Sequence, residues 1–290
     1  MKADVILIAG PTASGKSALA LALAAETGGV IVNADSMQVY DVLSVLTARP
    51  GPAELAAAPH RLYGMVPPGQ RYSTGAWLEQ AADIVREGRQ KGHPLIFAGG
   101  TGLYFQALEQ GMVQVPEVPA EVVARIEAEV RPLSRSQRGA LLAERDPKMV
   151  PLLSEPDHQR VVRALSVLAA TGRSLAEWRM RGHEGALGGL DVRRIVLNPA
   201  REVLEKRIRR RFDAMLSGGA VEEVERLVRL DLDPGLPAMK AIGVRPISRW
   251  LKGELDREQV VEQGSIATRQ LAKRQRTWFR RRMADWEWRS

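Results

Sequence analysis

A chain of 290 residues, 45% hydrophobic and 26% charged, can bury a sizeable core, and composition alone allows one large domain or a domain with an insertion. It has no cysteine, which excludes a disulfide framework, a thiolate metal site and a cysteine nucleophile. The net charge of +8 is uneven: residues 201–290 carry 21 Lys and Arg against 14 Asp and Glu, the first 200 carry 21 against 20, and such a basic C-terminal third points to a polyanion larger than a nucleotide.

Asp4 to Ala9 (DVILIA) is a short apolar run, and Gly10-Pro11-Thr12-Ala13-Ser14-Gly15-Lys16-Ser17 follows it directly. This is G-x-x-x-x-G-K-S between an expected strand and an expected helix, Ser17 to Glu26, rich in Ala and Leu. Glycines let the loop curl so that successive N–H groups face inward, and the helix start adds partial positive charge. Lys16 is placed to neutralise an outer phosphate, and Ser17 to offer a hydroxyl to Mg²⁺. The loop specifies a diphosphate or triphosphate without saying what is done to it. No apolar run approaches the ~20 residues that span a bilayer, and no signal peptide precedes the first strand, so a cytoplasmic location is expected.

A second strand is expected at Val30–Ala34, running into Asp35-Ser36-Met37-Gln38. Ligands of open parallel sheets gather beyond the carboxyl ends of strands, so Asp35 is expected to face the phosphate loop. A carboxylate there can take a proton from an acceptor group; equally, it can cap the next helix. Residues 41–75 are rich in Pro and Gly, with a short helical piece at Glu54–Ala58 and a lone His60 that reads as structural. An amphipathic helix is expected from Ser73 to Lys91, then a buried strand at Pro94–Ala98 ending in Gly99-Gly100-Thr101-Gly102. That strand end lacks the acid that usually holds Mg²⁺ in ATP-hydrolysing phosphate-loop proteins and offers backbone donors and one hydroxyl instead.

From about 113 to 190 the pattern is helical, at Ala120–Val130, Ser134–Glu144, Asp157–Thr171 and Ser174–Arg179, and reads as an insertion in the α/β core. The core resumes with a strand at Val192–Leu197 and a helix at Ala200–Leu216, where Arg207 and Arg211, four apart, share a face. Helices follow at Val221–Leu230 and Glu258–Arg282, the latter ending in a basic run with Trp278 and Phe279 interleaved, a pattern suited to phosphate contact and base stacking. Trp286 and Trp288 are expected to pack back on the core.

Taken together the motifs resemble the bacterial tRNA dimethylallyltransferases (tRNA isopentenyltransferases). The matching stretches are Gly10–Ser17 (GPTASGKS), Asp35–Gln38 (DSMQ), Pro59–Leu62 (PHRL), Gly99–Phe105 (GGTGLYF), Gln159–Ala164 (QRVVRA), Arg207–Phe212 (RIRRRF), Lys240–Arg245 (KAIGVR) and Ala267–Arg280 (ATRQLAKRQRTWFR). The resemblance implies an α/β fold: a P-loop NTPase-like parallel sheet core with an all-helical insertion domain and a helical, basic C-terminal region. The core would take residues 1–112 and 191–290, and the insertion, 113–190, would contact tRNA. The implied reaction transfers a dimethylallyl group from dimethylallyl diphosphate to N6 of adenosine 37, beside the anticodon, in tRNAs reading codons that begin with U. Mg²⁺ is the implied cofactor and the tRNA anticodon stem-loop the partner; a monomer is expected because no interface motif argues against it.

By the same resemblance Gly10, Pro11, Thr12, Ala13, Ser14, Gly15, Lys16 and Ser17 bind the diphosphate, Ser17 also holding the metal. Asp35 is the general base, Thr101 stands between diphosphate and adenine, and Arg211 binds pyrophosphate. Ser36, Met37 and Gln38 help hold the base. Gln159, Arg160, Val161, Val162, Arg163, Lys240, Arg245, Lys273, Arg274, Arg276 and Arg280 face tRNA, as does Val123, where some relatives have arginine. Leu46-Thr47-Ala48-Arg49-Pro50 departs from the usual GTAKP and bears on local tRNA contact. The competing readings are a small-molecule kinase, a prenyltransferase acting on free adenine nucleotides, and an RNA-binding protein that uses the loop as a nucleotide switch. The kinase leaves the basic helix at 273–282 without a task.

Overall fold

The computed structural model describes residues 3–113, 115–153, 155–179 and 184–290. In chain order it opens with β1 (Val5–Ala9), α1 (Lys16–Thr27), β2 (Val30–Asn33), α2 (Pro52–Ala57), β3 (His60–Arg61), α3 (Thr74–Lys91), β4 (Leu95–Gly99) and α4 (Gly102–Gln110). The helices α5 (Ala120–Val130), α6 (Arg135–Arg145), α7 (His158–Thr171) and α8 (Leu175–Arg179) follow. The chain then returns through β5 (Val192–Leu197), α9 (Arg201–Ser217), α10 (Ala220–Arg229), α11 (Val244–Leu251), α12 (Arg257–Arg282) and β6 (Glu287–Arg289).

Contacts divide it into two compact units, Met1–Glu109 with Gly185–Ser290, and Gln110–Glu184. The sequence places the boundaries at 112 and 191. The difference at the second lies in Ala186, Leu187 and Leu190, which pack on the sheet core, and in the Ala186 N–H, which donates to the Leu108 carbonyl at 2.8 Å.

In the larger unit all six strands are parallel, in the order β3-β2-β4-β1-β5-β6. Both faces of β1 are buried, which is why it reads as a continuous apolar run. Val5, Leu7 and Ala9 meet Trp77 and Ile84 of α3 and Phe105 of α4, while Ile6 and Ile8 meet Ala20 and Ala24 of α1. Trp286 and Trp288 join the first of these clusters, as expected. Another core gathers Phe212, Val224, Ile247 and Val260 from α9 to α12 around Val39, Tyr40 and Leu43.

The edge strands β3 and β6 were not anticipated, because two or three residues carry no readable alternation. His60 lies in β3 with Nδ1 2.8 Å from the Ala58 carbonyl, a structural place. The smaller unit is helical among its described residues, with α5, α6 and α7 closing over Ile126, Val130, Leu142 and Leu165. Ser134 and Asp157 are the N-caps of α6 and α7.

Candidate active site

Three strands deliver the site at their carboxyl ends. After β1, Ala13 (φ 64°) and Gly15 (φ 96°) take left-handed conformations, which coil the loop so that α1 begins at Lys16 with its N-terminus inward. For Ala13 that conformation costs about 1–2 kcal/mol, a strain that phosphate-loop geometry demands. Lys16 Nζ donates to the Pro11 carbonyl at 2.8 Å. Burial lowers its pKa to about 8; the Asp35 carboxylate opposes the shift and the Arg211 guanidinium adds to it. Ser14 Oγ is buried without a hydrogen-bond partner among the described residues, a hydroxyl ready for an anionic oxygen.

Asp35, beyond β2, is oriented by the buried side chain of Asn33. Asn33 Oδ1 accepts from the Asp35 N–H at 2.8 Å, and Nδ2 donates to the carbonyls of Asp35 and Leu62 at 2.9 and 3.0 Å. Trp77 Nε1 in turn donates to the Asn33 carbonyl at 2.8 Å. Asp35 Oδ1 accepts the Met37 N–H at 3.0 Å, so one oxygen holds the turn. Asp35 therefore caps no helix: one oxygen holds a turn, because the next helix begins only at Pro52.

Beyond β4, the glycines at 99, 100 and 102 are there for close packing. A Cβ on Gly99 would sit 2.0 Å from the Ala34 backbone, on Gly100 2.2 Å from Gln275 Nε2, and on Gly102 2.2 Å from the Trp278 ring. Thr101 Oγ1 accepts the Ser36 N–H at 2.9 Å and donates to Ser36 Oγ at 3.2 Å, while its own N–H donates to the Ala34 carbonyl. In this structure Thr101 positions the Asp35 turn. The sequence reading missed Gln275 on α12. Its Oε1 accepts the Thr12 N–H at 3.0 Å and its Nε2 donates to the Gly100 carbonyl at 2.9 Å, tying the phosphate loop to the end of β4. A glutamine inside a basic run gives no such signal by itself.

Arg211 on α9 donates to Thr12 Oγ1. Burial lowers its pKa and Asp35 raises it. Arg207 and Arg210 line the same polar cavity of about 520 Å³, together with Lys16, Ser17, Asp35 and Tyr63. Tyr63 was also missed; burial and the nearby Asp35 charge push its phenol pKa up, so it stays a neutral hydroxyl. Beside this cavity lies a smaller one, about 90 Å³, with Met37, Leu46, Ile208, Phe212, Met215 and Ile242 in its walls. The two cavities share Thr12, Asp35, Thr47 and Arg211.

The loop between β2 and α2 is fixed from within. Gln38 Nε2 donates to the Thr47 and Ala48 carbonyls, both at 2.9 Å. Buried Glu223 on α10 accepts the N–H groups of Ser44, Val45 and Leu46 at 2.7–3.0 Å. Arg49 donates to the Tyr40 and Asp41 carbonyls. The departures at Leu46 and Arg49 therefore act inside the protein: Leu46 is buried in the small cavity wall and Arg49 laces its own loop.

Of the positions expected at RNA, Gln159, Arg160 and Arg163 stand exposed on α7, but Val161 and Val162 are buried in the core of the helical unit. Helical periodicity turns these two valines inward, so their side chains are not available for contact. Val123 is exposed on α5. Lys240, Arg245, Lys273, Arg274 and Arg280 are exposed. Arg201, Arg269, Lys273, Arg276 and Arg280 line a groove of about 550 Å³ along α9 and α12, floored by Leu204, Ile208 and Ala272. The buried Nε of Arg276 has no hydrogen-bond partner among the described residues.

A phosphate loop, an oriented carboxylate and a cationic wall at the ends of parallel strands define a phosphate-loop transferase. The model of the IPP transferase family matches residues 38–282, and that of isopentenyl transferases matches 3–66. The chain is 51% identical over 282 residues to the tRNA dimethylallyltransferase of Chelativorans sp., covering 97% of each. It is 50% identical over 285 residues to that of Mesorhizobium japonicum, covering 98% of this chain and 88% of the relative. Among solved structures it resembles the full-length tRNA isopentenylpyrophosphate transferase of Bacillus halodurans, with TM-score 0.68, 28% identity and coverage of 99% and 89%. A eukaryotic dimethylallyltransferase described as acting on tRNA gives TM-score 0.79 at 26% identity, covering 95% of this chain and 69% of that one. The chain belongs to the IPP transferase family.

Proposed function

We propose that the enzyme transfers a dimethylallyl group from dimethylallyl diphosphate to N6 of adenosine 37 in tRNAs reading codons that begin with U, releasing diphosphate. The observation that supports this reading is the junction at Asp35, where a polar, cationic cavity shares Thr12, Asp35, Thr47 and Arg211 with a small one whose other walls are mainly apolar. A diphosphate fits the first and a short prenyl tail the second, which sets the bond between them beside the carboxylate.

As the allylic carbon–oxygen bond breaks, charge gathers on the departing oxygens, and Lys16, Arg211 and the loop N–H groups are placed to neutralise it. The adenine leaves its stack to reach the carbon. Its N6 forms the new bond and gives a proton to Asp35 as it does so, because the neutral amine is far too weak an acid to ionise first. Among the described residues no group of three His, Asp or Glu side chains could hold a metal by itself. Ser17 is a hard oxygen donor lining the polar cavity, and Mg²⁺ is commonly held by one or two protein groups with substrate phosphates and water, so the donor set fits. When bound, Mg²⁺ would share the neutralisation of the leaving diphosphate.

The groove along α9 and α12 would take tRNA phosphates, with Arg276 Nε offered to one of them; in the helical unit, Gln159, Arg160 and Arg163 of α7 are exposed for RNA contact of their own. No helix among the described residues is long and apolar enough to cross a membrane. A cytoplasmic monomer completes the reading. Incubation with labelled dimethylallyl diphosphate and unmodified tRNA should place label in the RNA. Label absent from RNA, with phosphate moved from ATP to a small acceptor in the parallel reaction, would favour the kinase.

A further inference from the structure

Tyr63 stands in the wall of the polar cavity with Lys16, Ser17, Asp35 and Arg211, and a strained turn puts it there. On either side of it, just after β3, Leu62 (φ 64°) and Gly64 (φ 55°) both take left-handed conformations. For a leucine that state is uncommon, and it persists only where surrounding groups over-determine it, as they do at ligand sites. Here the Leu62 carbonyl accepts from Asn33 Nδ2 at 3.0 Å, and the Gly64 N–H donates to the Gln38 carbonyl at 2.9 Å. The turn that presents Tyr63 is thus pinned by the same Asn33 amide that orients Asp35.

The Tyr63 ring is fixed as well. It packs against the apolar cluster that joins α1 to the sheet, and it lies edge-on to the His60 ring with centroids 5.5 Å apart. Its hydroxyl, by contrast, makes no hydrogen bond among the described residues, and it is not sealed inside the protein, so it opens on the cavity. Burial, and after it the charges of Asp35 and Glu54, push the phenol pKa up, so the hydroxyl keeps its proton and can donate it. The acceptor that suits a cavity walled by Lys16, Arg207, Arg210 and Arg211 is an anionic oxygen.

We propose that the Tyr63 hydroxyl donates a hydrogen bond to the diphosphate, a contact added to those of Lys16, Arg211 and the loop N–H groups. The proposal rests on the reading that the polar cavity takes the diphosphate of the donor. The bond strengthens as charge gathers on the departing oxygens, so it acts on the leaving group as well as on the bound substrate.

The test compares the unsubstituted enzyme with Tyr63→Phe, which keeps the ring and its packing and removes one oxygen. Binding of inorganic pyrophosphate, measured by titration calorimetry with Mg²⁺ present, should weaken about 10- to 100-fold, the range for a hydrogen bond to a charged group. The kcat/KM for dimethylallyl diphosphate should fall by a similar factor, while affinity for unmodified tRNA, measured without donor, stays unchanged. Because tRNA affinity is read on the same preparation, loss of folded protein does not imitate the effect. The proposal fails if Tyr63→Phe binds pyrophosphate as tightly as the unsubstituted enzyme, or if its defect lies only in tRNA affinity. Absence of both pyrophosphate binding and RNA labelling in the unsubstituted enzyme would instead remove the diphosphate reading of the cavity, and this proposal with it.

Discussion

Around the phosphate loop, Lys16, Asp35, Thr101 and Arg211 are each tied to a partner inside the protein. Gln159, Arg160 and Arg163 on α7, and Lys273, Arg274 and Arg280 on α12, stand exposed instead. Groups that stabilise a transition state work best when already oriented, since no reorganisation then accompanies the reaction. Groups that hold a polyanion act through summed charge and counterion release, which tolerates mobile side chains and shares the effect among many. Substitutions should therefore be local and severe in the first region, graded and salt-dependent in the second.

The sharpest break in that contrast would come from Asp35→Asn. Transfer should fall by about 10²–10⁴-fold, the usual contribution of a general base, while tRNA affinity stays within a few-fold; unchanged turnover would remove Asp35 as the base. Next comes Gln275→Ala, which cuts the tie between Thr12 and Gly100. A displacement of about 1 Å in a reacting group can cost about 10² in rate, so kcat should fall by up to that factor with the KM for tRNA little changed. A loss confined to tRNA affinity would return Gln275 to the RNA-facing class.

Neutralising Lys273, Arg274 and Arg276 together to Gln sharpens the other side. Affinity for tRNA should weaken, and the slope of log affinity against log salt should shrink by about 2, on the scale of 0.7 per phosphate contact in single strands. An unaltered slope would take α12 out of the interface. The smallest effect concerns Lys16. With its pKa lowered to about 8, the free enzyme loses the ammonium as pH rises through that value. Inorganic pyrophosphate should therefore bind up to about 10-fold more weakly at pH 9 than at pH 7, one pKa unit being a factor of ten, beyond any change seen with Lys16→Arg. Parallel profiles for the two proteins would exclude Lys16 as the titrating group.

The phosphate loop, the position of Asp35 and the helical insertion were legible because each rests on local pattern: a spaced glycine motif, a strand followed by a turn, and a run of helical periodicity. What escaped the sequence depends on contacts far apart in the chain. Gln275 meets residues 12 and 100 across most of its length, and no local pattern marks such a pairing. Asn33 reads as the end of an apolar strand, yet its amide sets the geometry of Asp35. The glycines after β4 read as phosphate donors but are required by packing, since a Cβ at any of the three would come within 2.0–2.2 Å of a neighbour. Val161 and Val162 entered through a motif taken whole, although their helical phase turns them inward.

The Gln275 bridge also bears on how the protein comes to be made. During synthesis the phosphate loop leaves the ribosome more than 250 residues ahead of the side chain that braces it. β6, which pairs with β5 through residues 287–289, comes later still. Nascent chains acquire structure from the N-terminus onward, so the first sheet strands can pair while the loop still lacks the Arg211 and Gln275 side chains that reach Thr12. Until α12 is made the phosphate loop is not tied to the end of β4, so the brace of the site is among the last parts of the described fold to be put in place.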